Sequence, residues 1–304
     1  MPELPDLTVY VEALGARVLG RRLLSTQLAH PFVLRSYAPP LSALHGLRVL
    51  EVRRLGKRIA FEFEGGLWLL MHLMIAGRLQ FLDAQGPDPA AASPRKRAPT
   101  GLARLSFETG TLVLTEAGTK RRASLRVVQG RDELARHVPG GIEVLESSLE
   151  RFATELTREN HTLKRALTDP RLFAGIGNAY SDEILHRARL SPLALTRGLD
   201  PASIARLYGA TREVLVEWTE RLVREAGSGF PRKVTAFRPE MAVHGRYRLP
   251  CPVCGTRVQR IRYAENETNY CPRCQTQGRL LADRSLSRLL KADWPRSIEE
   301  LEER

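Results

Sequence analysis

The sequence predicts an α+β multidomain protein: an N-terminal β-sandwich with a leading helix, then a helical domain, then a C-terminal zinc ribbon. Three observations predict it. From Leu47 to about Val128 apolar residues recur with the period of two that marks strands. From Leu149 to Glu225 the spacing becomes helical. All four cysteines form two Cys-x2-Cys pairs, Cys251/Cys254 and Cys271/Cys274, sixteen residues apart. The expected divisions are residues 1–130, 131–245, 246–280 and a tail, 281–304.

In the leading segment Leu7, Tyr10, Val11, Leu14 and Val18 lie on one helical face, with Asp6 expected as N-cap and Gly20 as the stop. In the strand region Ile59, Phe61 and Phe63 alternate with Arg58, Ala60, Glu62 and Glu64. Gly65-Gly66 is expected to form a two-residue hairpin turn, and Glu108-Thr109-Gly110 a second turn. Several short strands with such turns suggest a sandwich. Gln85–Gly101, with the basic run Arg95-Lys96-Arg97, reads as a surface loop. Helices are expected over Leu149–Leu167, Ala179–Arg189 and Pro201–Glu225. Gly175-Ile176-Gly177-Asn178 stands at the entrance of the second. Glycines there let backbone N–H groups approach a phosphate, or simply permit a tight corner.

The cysteine spacing is that of a four-thiolate zinc site. Four sulfurs leave no open coordination position, so one structural Zn2+ is expected, held by Cys251, Cys254, Cys271 and Cys274. Residues 227–280 carry ten Arg/Lys against three acids, which makes the ribbon a basic hairpin suited to a phosphate backbone. The tail reverses this, with five basic and six acidic residues, and Leu286, Leu289 and Leu290 suggest a short helix there.

A net charge of +13 and a pI near 10.2 point to a polyanionic partner. The longest apolar run, Leu67–Ala76, contains His72 and is too short to span a bilayer. With no cysteine outside the zinc motif, a reducing cytoplasm is the expected compartment, with association to the nucleoid. A monomer without membrane attachment is expected.

Chemistry concentrates at the amino terminus, Met1-Pro2-Glu3-Leu4-Pro5-Asp6-Leu7. Removal of Met1 would leave Pro2 with a free secondary amine. An α-amino group titrates near ~8 against ~10.4 for lysine, so more of it is uncharged at neutral pH. Its attack on a sugar carbon gives a cationic iminium, an electron sink for later bond cleavage, and Glu3 can move a proton beside it. This segment resembles the start of the formamidopyrimidine-DNA glycosylase/endonuclease VIII family, closer to the first branch. Leu55-Gly56-Lys57-Arg58, Gly175 to Glu183 continued by Leu190-Ser191-Pro192, and the ribbon match that family in order, over roughly residues 1–280.

The resemblance implies a helix-two-turn-helix DNA-binding domain over 131–245. It also implies excision of damaged bases from double-stranded DNA, followed by β,δ-elimination at the abasic site. Pro2 and Glu3 would carry the chemistry, with Lys57 beside them. Lys57 and Asn178 match the family's phosphate-gripping residues. Three departures stand out. Asp6 replaces the usual glutamate. Asn266 stands where the ribbon normally has an arginine, a lost contact for which Arg260 or Arg262 would compensate. The wedge that fills the gap of a flipped base is also altered: Ile75, or Met74 after a small shift, takes the first place, and Lys120-Arg121-Arg122-Ala123-Ser124 offers Arg122 but no phenylalanine. Two other classes share these residues: a catalytically weakened protein that only binds damaged DNA, and an RNA-binding zinc protein on the same scaffold.

Overall fold

The structure, a computed structural model, describes residues 1–84, 101–117, 122–231, 234–235, 237–263, 266–282, 288–289 and 295–302. The basic run Arg95-Lys96-Arg97, the pair Lys120-Arg121, and Leu286 and Leu290 of the expected tail helix lie outside them. The chain forms two compact units. One comprises Met1–Pro139 with Thr219–Thr235, the other Gly140–Trp218 with Ala236–Arg304.

The first unit opens with α1 (Leu4–Val18), followed by Gly20 at φ +71°. Asp6 is not the N-cap. Glu3 holds that place, and the Asp6 carboxylate accepts the Glu3 backbone N–H at 3.0 Å from inside the first turn. Pro5 permits this earlier start, because first-turn N–H groups have no partner within the helix and a proline there forfeits none.

Eight strands follow: β1 (Leu23–Leu28), β2 (Val49–Leu55), β3 (Arg58–Phe63), β4 (Leu67–His72), β5 (Gly77–Asp83), β6 (Ala103–Phe107), β7 (Gly110–Glu116) and β8 (Ser124–Gln129). They make two antiparallel sheets, β1-β6-β7-β5 and β2-β3-β4-β8. The expected sandwich is therefore the observed one. Ile59, Phe61 and Phe63 enter its core with Leu7, Tyr10 and Leu14 of α1. Each such burial is worth roughly 1.5–3 kcal/mol. Ala60 is buried too, on the sheet's other face, where Leu134 of α2 (Gly130–Arg136) covers it. Phe230, from the second segment of this unit, packs on Tyr10 with ring centroids 5.7 Å apart.

Two turns matter for the site. β2 and β3 are joined by Gly56-Lys57 alone, with Gly56 at φ +57°. Between β3 and β4 three residues, Glu64-Gly65-Gly66, make the turn, rather than two. Glu64 leaves the ladder because its N–H donates to the Arg48 carbonyl, while its carboxylate accepts the Arg48 N–H.

In the second unit the expected helix over 149–167 is two helices, α3 (Leu149–Thr157) and α4 (Leu163–Thr168). Its middle is captured by the 192–196 segment. The His161 carbonyl accepts the Thr196 N–H, the Thr196 hydroxyl donates to the Glu159 carbonyl, and the Leu163 N–H donates to the Ala194 carbonyl. These bonds occupy groups that a continuous helix would need. α5 (Asn178–Arg187) and α6 (Pro201–Ala226) follow, the end of α6 belonging to the first unit. The ribbon is the hairpin β9 (Gln259–Tyr263) and β10 (Asn266–Tyr270) with α7 (Pro272–Thr276). The tail returns to it: the Leu280 N–H donates to the Arg296 carbonyl and that of Ile298 to the Gly278 carbonyl. Ile298 opens α8 (Ile298–Glu302) as a buried residue. Among the described residues no helix is long and apolar enough to cross a membrane.

The β4–β5 loop is closed by the Gly77 N–H donating to the Leu73 carbonyl at 2.9 Å. A Cβ at Gly77 would fall 2.2 Å from that same oxygen, whereas one at Gly15 in α1 would meet nothing within 4 Å. Gly77→Ala should therefore destabilise the protein by about 1–3 kcal/mol, as an overpacked site does. Gly15→Ala should stabilise it by up to about 1 kcal/mol through helix propensity. Urea unfolding of both variants checks the pair.

Candidate functional site

In the first unit the amino terminus is held inside the protein. Pro2 is buried, and Glu3 and Asp6 are 3% and 1% exposed. The capping bond from Glu3 to Asp6 anchors this segment, and α1 pins it to the sheet. Burial lowers the pKa of the Met1 terminal ammonium. Glu3 opposes that, and the cations Arg78 and Lys57 add to it. Lys57, half-buried in the β2–β3 turn, is thus near enough to act on the terminal amine. Pro2 and Glu3 thus share one neighbourhood with Lys57, which is distant from them in sequence.

The sequence reading passed over Arg78. Its guanidinium donates to the carbonyls of Ile75 (3.1 Å) and Gly77 (2.7 Å), so one side chain both holds the β4–β5 loop and acts on the terminus. The available signal was a lone arginine directly after Ala76-Gly77, at the start of a strand.

Ile75 is 62% exposed on that loop, beside Met74 at φ +52°. Arg122 is exposed just before β8. Its backbone N–H and that of Ala123 both donate to the Glu116 carboxylate, which fixes this end of the β7–β8 connection. Ala123 is buried in the sandwich core, so its methyl is turned away from solvent.

In the second unit Gly175 takes φ +81°, a turn requirement, while Gly177 caps α5 in an extended conformation. Asn178 begins α5, and its side-chain amide donates to the Glu267 carbonyl of β10 at 2.9 Å. Behind it stands a buried network. Asp182 accepts from Lys164 (2.5 Å) and the Asn269 N–H (3.1 Å), and pairs with His244 Nδ1 (2.8 Å). Glu183 accepts the backbone N–H groups of Ala242, Val243 and His244 at 2.7–2.9 Å. Burial pushes the Glu183 pKa up, against the pull of those three donors. The Asp-Glu pair thus fastens α5 to the ribbon and to the segment leading into it.

The ribbon arginines have local partners. Arg260 pairs with Glu267 at 3.0 Å and lies 4.1 Å over the Tyr247 ring. Arg262 is exposed on β9, and Asn266 opens β10 opposite Tyr263.

The four Cys Sγ atoms lie within 4.8 Å of one another, with Cys254–Cys271 at 3.4 Å and Cys251–Cys274 at 3.9 Å. Zinc–sulfur bonds of ~2.3 Å in a tetrahedron need similar separations. Burial pushes the Cys271 and Cys274 thiols up, Cys274 to about 12. Burial also works against ionisation of Cys254, but hydrogen bonds with Thr256 and the other thiols bring it down to about 7. A dication supplies the charge that lets all four ionise. His186 Nε2 lies 3.3 Å from the Cys251 sulfur. Burial, then Arg187 and Arg189, lowers its pKa to about 4, so it is neutral there. The donor set fits one structural Zn2+.

Such an arrangement defines a class of three-part proteins in which a sandwich with a buried amino terminus precedes a helical domain and a four-thiolate ribbon. Comparison narrows the class. Residues 1–125 match the formamidopyrimidine-DNA glycosylase N-terminal domain, residues 142–224 its H2TH domain, and residues 248–277 the zinc finger found in FPG and IleRS. The formamidopyrimidine-DNA glycosylase of Thermus thermophilus is 35% identical over 294 residues, covering 91% of this chain and 100% of that protein. A Mycobacterium tuberculosis protein described as uncharacterized and formamidopyrimidine-DNA glycosylase-like is 42% identical over 151 residues, 50% of this chain and 94% of its own length. The crystal structure of MutM (Fpg) from Thermus thermophilus aligns with a TM-score of 0.73 at 34% identity, covering 90% of this chain and 98% of that one. The chain belongs to the formamidopyrimidine-DNA glycosylase family.

Elemental analysis should find one zinc per chain. Cys271→Ser should cost on the order of 4 kcal/mol, as loss of a structural metal does, and chelation should lower the melting temperature in the same way. Metal-free protein with an unchanged melting curve would contradict the assignment.

Proposed function

We propose that this protein is a bifunctional DNA glycosylase and abasic-site lyase that acts on damaged double-stranded DNA, with the amine of Pro2, exposed by loss of Met1, as nucleophile. The observation that carries the reading is the buried Pro2 beside buried Glu3, with Arg78 and Lys57 close enough to act on the Met1 amine one residue away. Pro2 nitrogen bonds to C1′ as the glycosidic bond breaks and the base leaves. Glu3 moves a proton at the sugar oxygen as the ring opens to the iminium. Loss of a C2′ proton expels the 3′ phosphate, and a second elimination expels the 5′ phosphate. Lys57 and Asn178 hold phosphates of the damaged strand, and Arg260, Arg262 and Asn266 contribute from the ribbon. Ile75 and Arg122 occupy the place of the flipped nucleotide. Family membership supports this over an RNA-binding role.

Borohydride should trap a covalent protein–DNA adduct at Pro2, and a protein retaining Met1 should give none, since its Pro2 nitrogen is an amide. Burial, Arg78 and Lys57 lower the Met1 amine, and the same surroundings should lower the Pro2 amine once Met1 is lost, so trapping should persist below the ordinary α-amino value of ~8. Intact mass of the amino terminus and trapping across pH ~6–9 check both points. An undiminished adduct with Met1 in place would move the nucleophile elsewhere.

Substrate choice follows from the wedge. Extruding a base costs a few kcal/mol, part of which an inserted aromatic recovers. Here Ala123 is buried and Ile75 is aliphatic. Cleavage at abasic sites, mismatches and bubbles should therefore outpace excision of 8-oxoguanine paired with cytosine, by about tenfold for each ~1.4 kcal/mol not recovered. Single-turnover rates on matched duplexes, with bubble versions of each, measure this. Equal rates on abasic and paired 8-oxoguanine duplexes would refute the wedge argument.

A further inference from the structure

The outer face of the β2-β3-β4-β8 sheet carries a cavity of about 210 Å³ that the chemistry above does not use. Strand alternation creates it. Ile59, Met71 and Leu125 sit side by side in register and face the sandwich core. Their neighbours Arg58, His72 and Ser124, also in register, therefore face outward, joined by Arg126 two residues along β8. His137 at the end of α2 and Arg35, whose N–H donates to the Leu125 carbonyl at 2.8 Å, join the wall, and Leu70 and Met74 complete it.

Among the described residues no carboxylate lines this cavity, and the guanidiniums of Arg35, Arg58 and Arg126 have no acidic partner. Half-buried Arg58 and Arg126 repel one another, exposed Arg35 lines the same space, and such an arrangement is favourable once an anion sits among them. The titration behaviour agrees. Burial, then Arg126, lowers the Arg58 pKa. Burial, then Arg58 and Lys57, brings His72 down to about 4. His137 is lowered by burial, then Arg126, with Glu133 of α2 acting the other way.

We infer that the cavity defined by Arg58, Arg126 and Arg35 is a binding site for a phosphate group carried as a monoester or as the free ion. The chemistry of the site selects this ligand. Guanidinium forks match phosphate oxygens in pairs, and a compact dianion balances several cations where a carboxylate would balance one. The volume is below the roughly 300 Å³ where pockets for whole small molecules begin, so the site would hold the phosphate and leave the rest of its carrier outside. One source is a DNA strand end, since the eliminations proposed above generate phosphomonoesters. Lys57, which acts on both the terminal amine and His72, places the cavity beside that chemistry. The strand-end source rests on the DNA reading, whereas binding of free phosphate does not.

The test uses intact zinc-loaded protein, with Arg126→Gln and Arg58→Gln as variants. Inorganic phosphate should raise the melting temperature of the parent protein above a chloride control of equal ionic strength, and the rise should be largely lost in both variants. In phosphate-free buffer Arg126→Gln should melt no lower than the parent, because it removes repulsion. A merely structural arginine would predict a drop. Oligonucleotides bearing a 5′ phosphate, a 3′ phosphate or only hydroxyl ends separate the sources. A preference of about fivefold or more for one phosphorylated end, lost in Arg126→Gln, assigns the site to strand ends. A response to inorganic phosphate without end preference assigns it to the free ion. Equal phosphate responses in the parent and both variants, or no response and no end preference in the parent, overturn the proposal. Absence of abasic cleavage in the parent would count against the lyase reading and leave the phosphate result standing.

Discussion

The burial of the amino terminus is the constraint from which the first unit takes its purpose. A charged terminus normally stays in water, and here it is drawn in with Glu3 and Asp6. The Glu3 N–H to Asp6 bond satisfies a donor that helix geometry would otherwise orphan. Leu7, Tyr10 and Leu14 then bind α1 to the sandwich, so the segment is fixed at both ends. Burial and the nearby Arg78 and Lys57 work together in disfavouring the Met1 ammonium, against the opposing pull of Glu3.

The second unit relies on a different device. Asp182 and Glu183, adjacent on α5, direct their acceptor capacity to Lys164, His244 and four backbone N–H groups from the 242–269 region. A buried carboxylate is costly unless so satisfied, which makes this arrangement specific as well as cohesive. The ribbon is coupled to the same helix by His186 against the Cys251 sulfur and by Asn178 to Glu267. Zinc thus orders the surroundings of Asn178 as well as the cysteines. The tail adds to this by pairing Arg279 with Ser297 and burying Ile298.

Where the sequence reading missed, long-range bonding had overruled local pattern. Residues 149–167 carry helical spacing throughout, yet Thr196 and Ala194 claim the backbone at 159–163 and split the helix. Asp6 has the character of an N-cap, but Pro5 is equally at home in a first turn, and the Glu3 bond settles the start.

By itself the sequence determined what short-range periodicity and spacing encode: the sandwich, the helical domain, the four-thiolate zinc site and the candidate nucleophile at Pro2. Those features depend on residues close in the chain or on a donor set with one stable coordination. The tertiary structure alone decided which side chains became neighbours across strands and loops. It brought Arg78 and Lys57 to the amino terminus, turned Ala123 into the core, and gathered Arg35, Arg58 and Arg126 around one cavity. Register determines such meetings. A shift of one residue would send Arg58 or Arg126 to the opposite face of its sheet, and no local pattern states which strand will lie beside which.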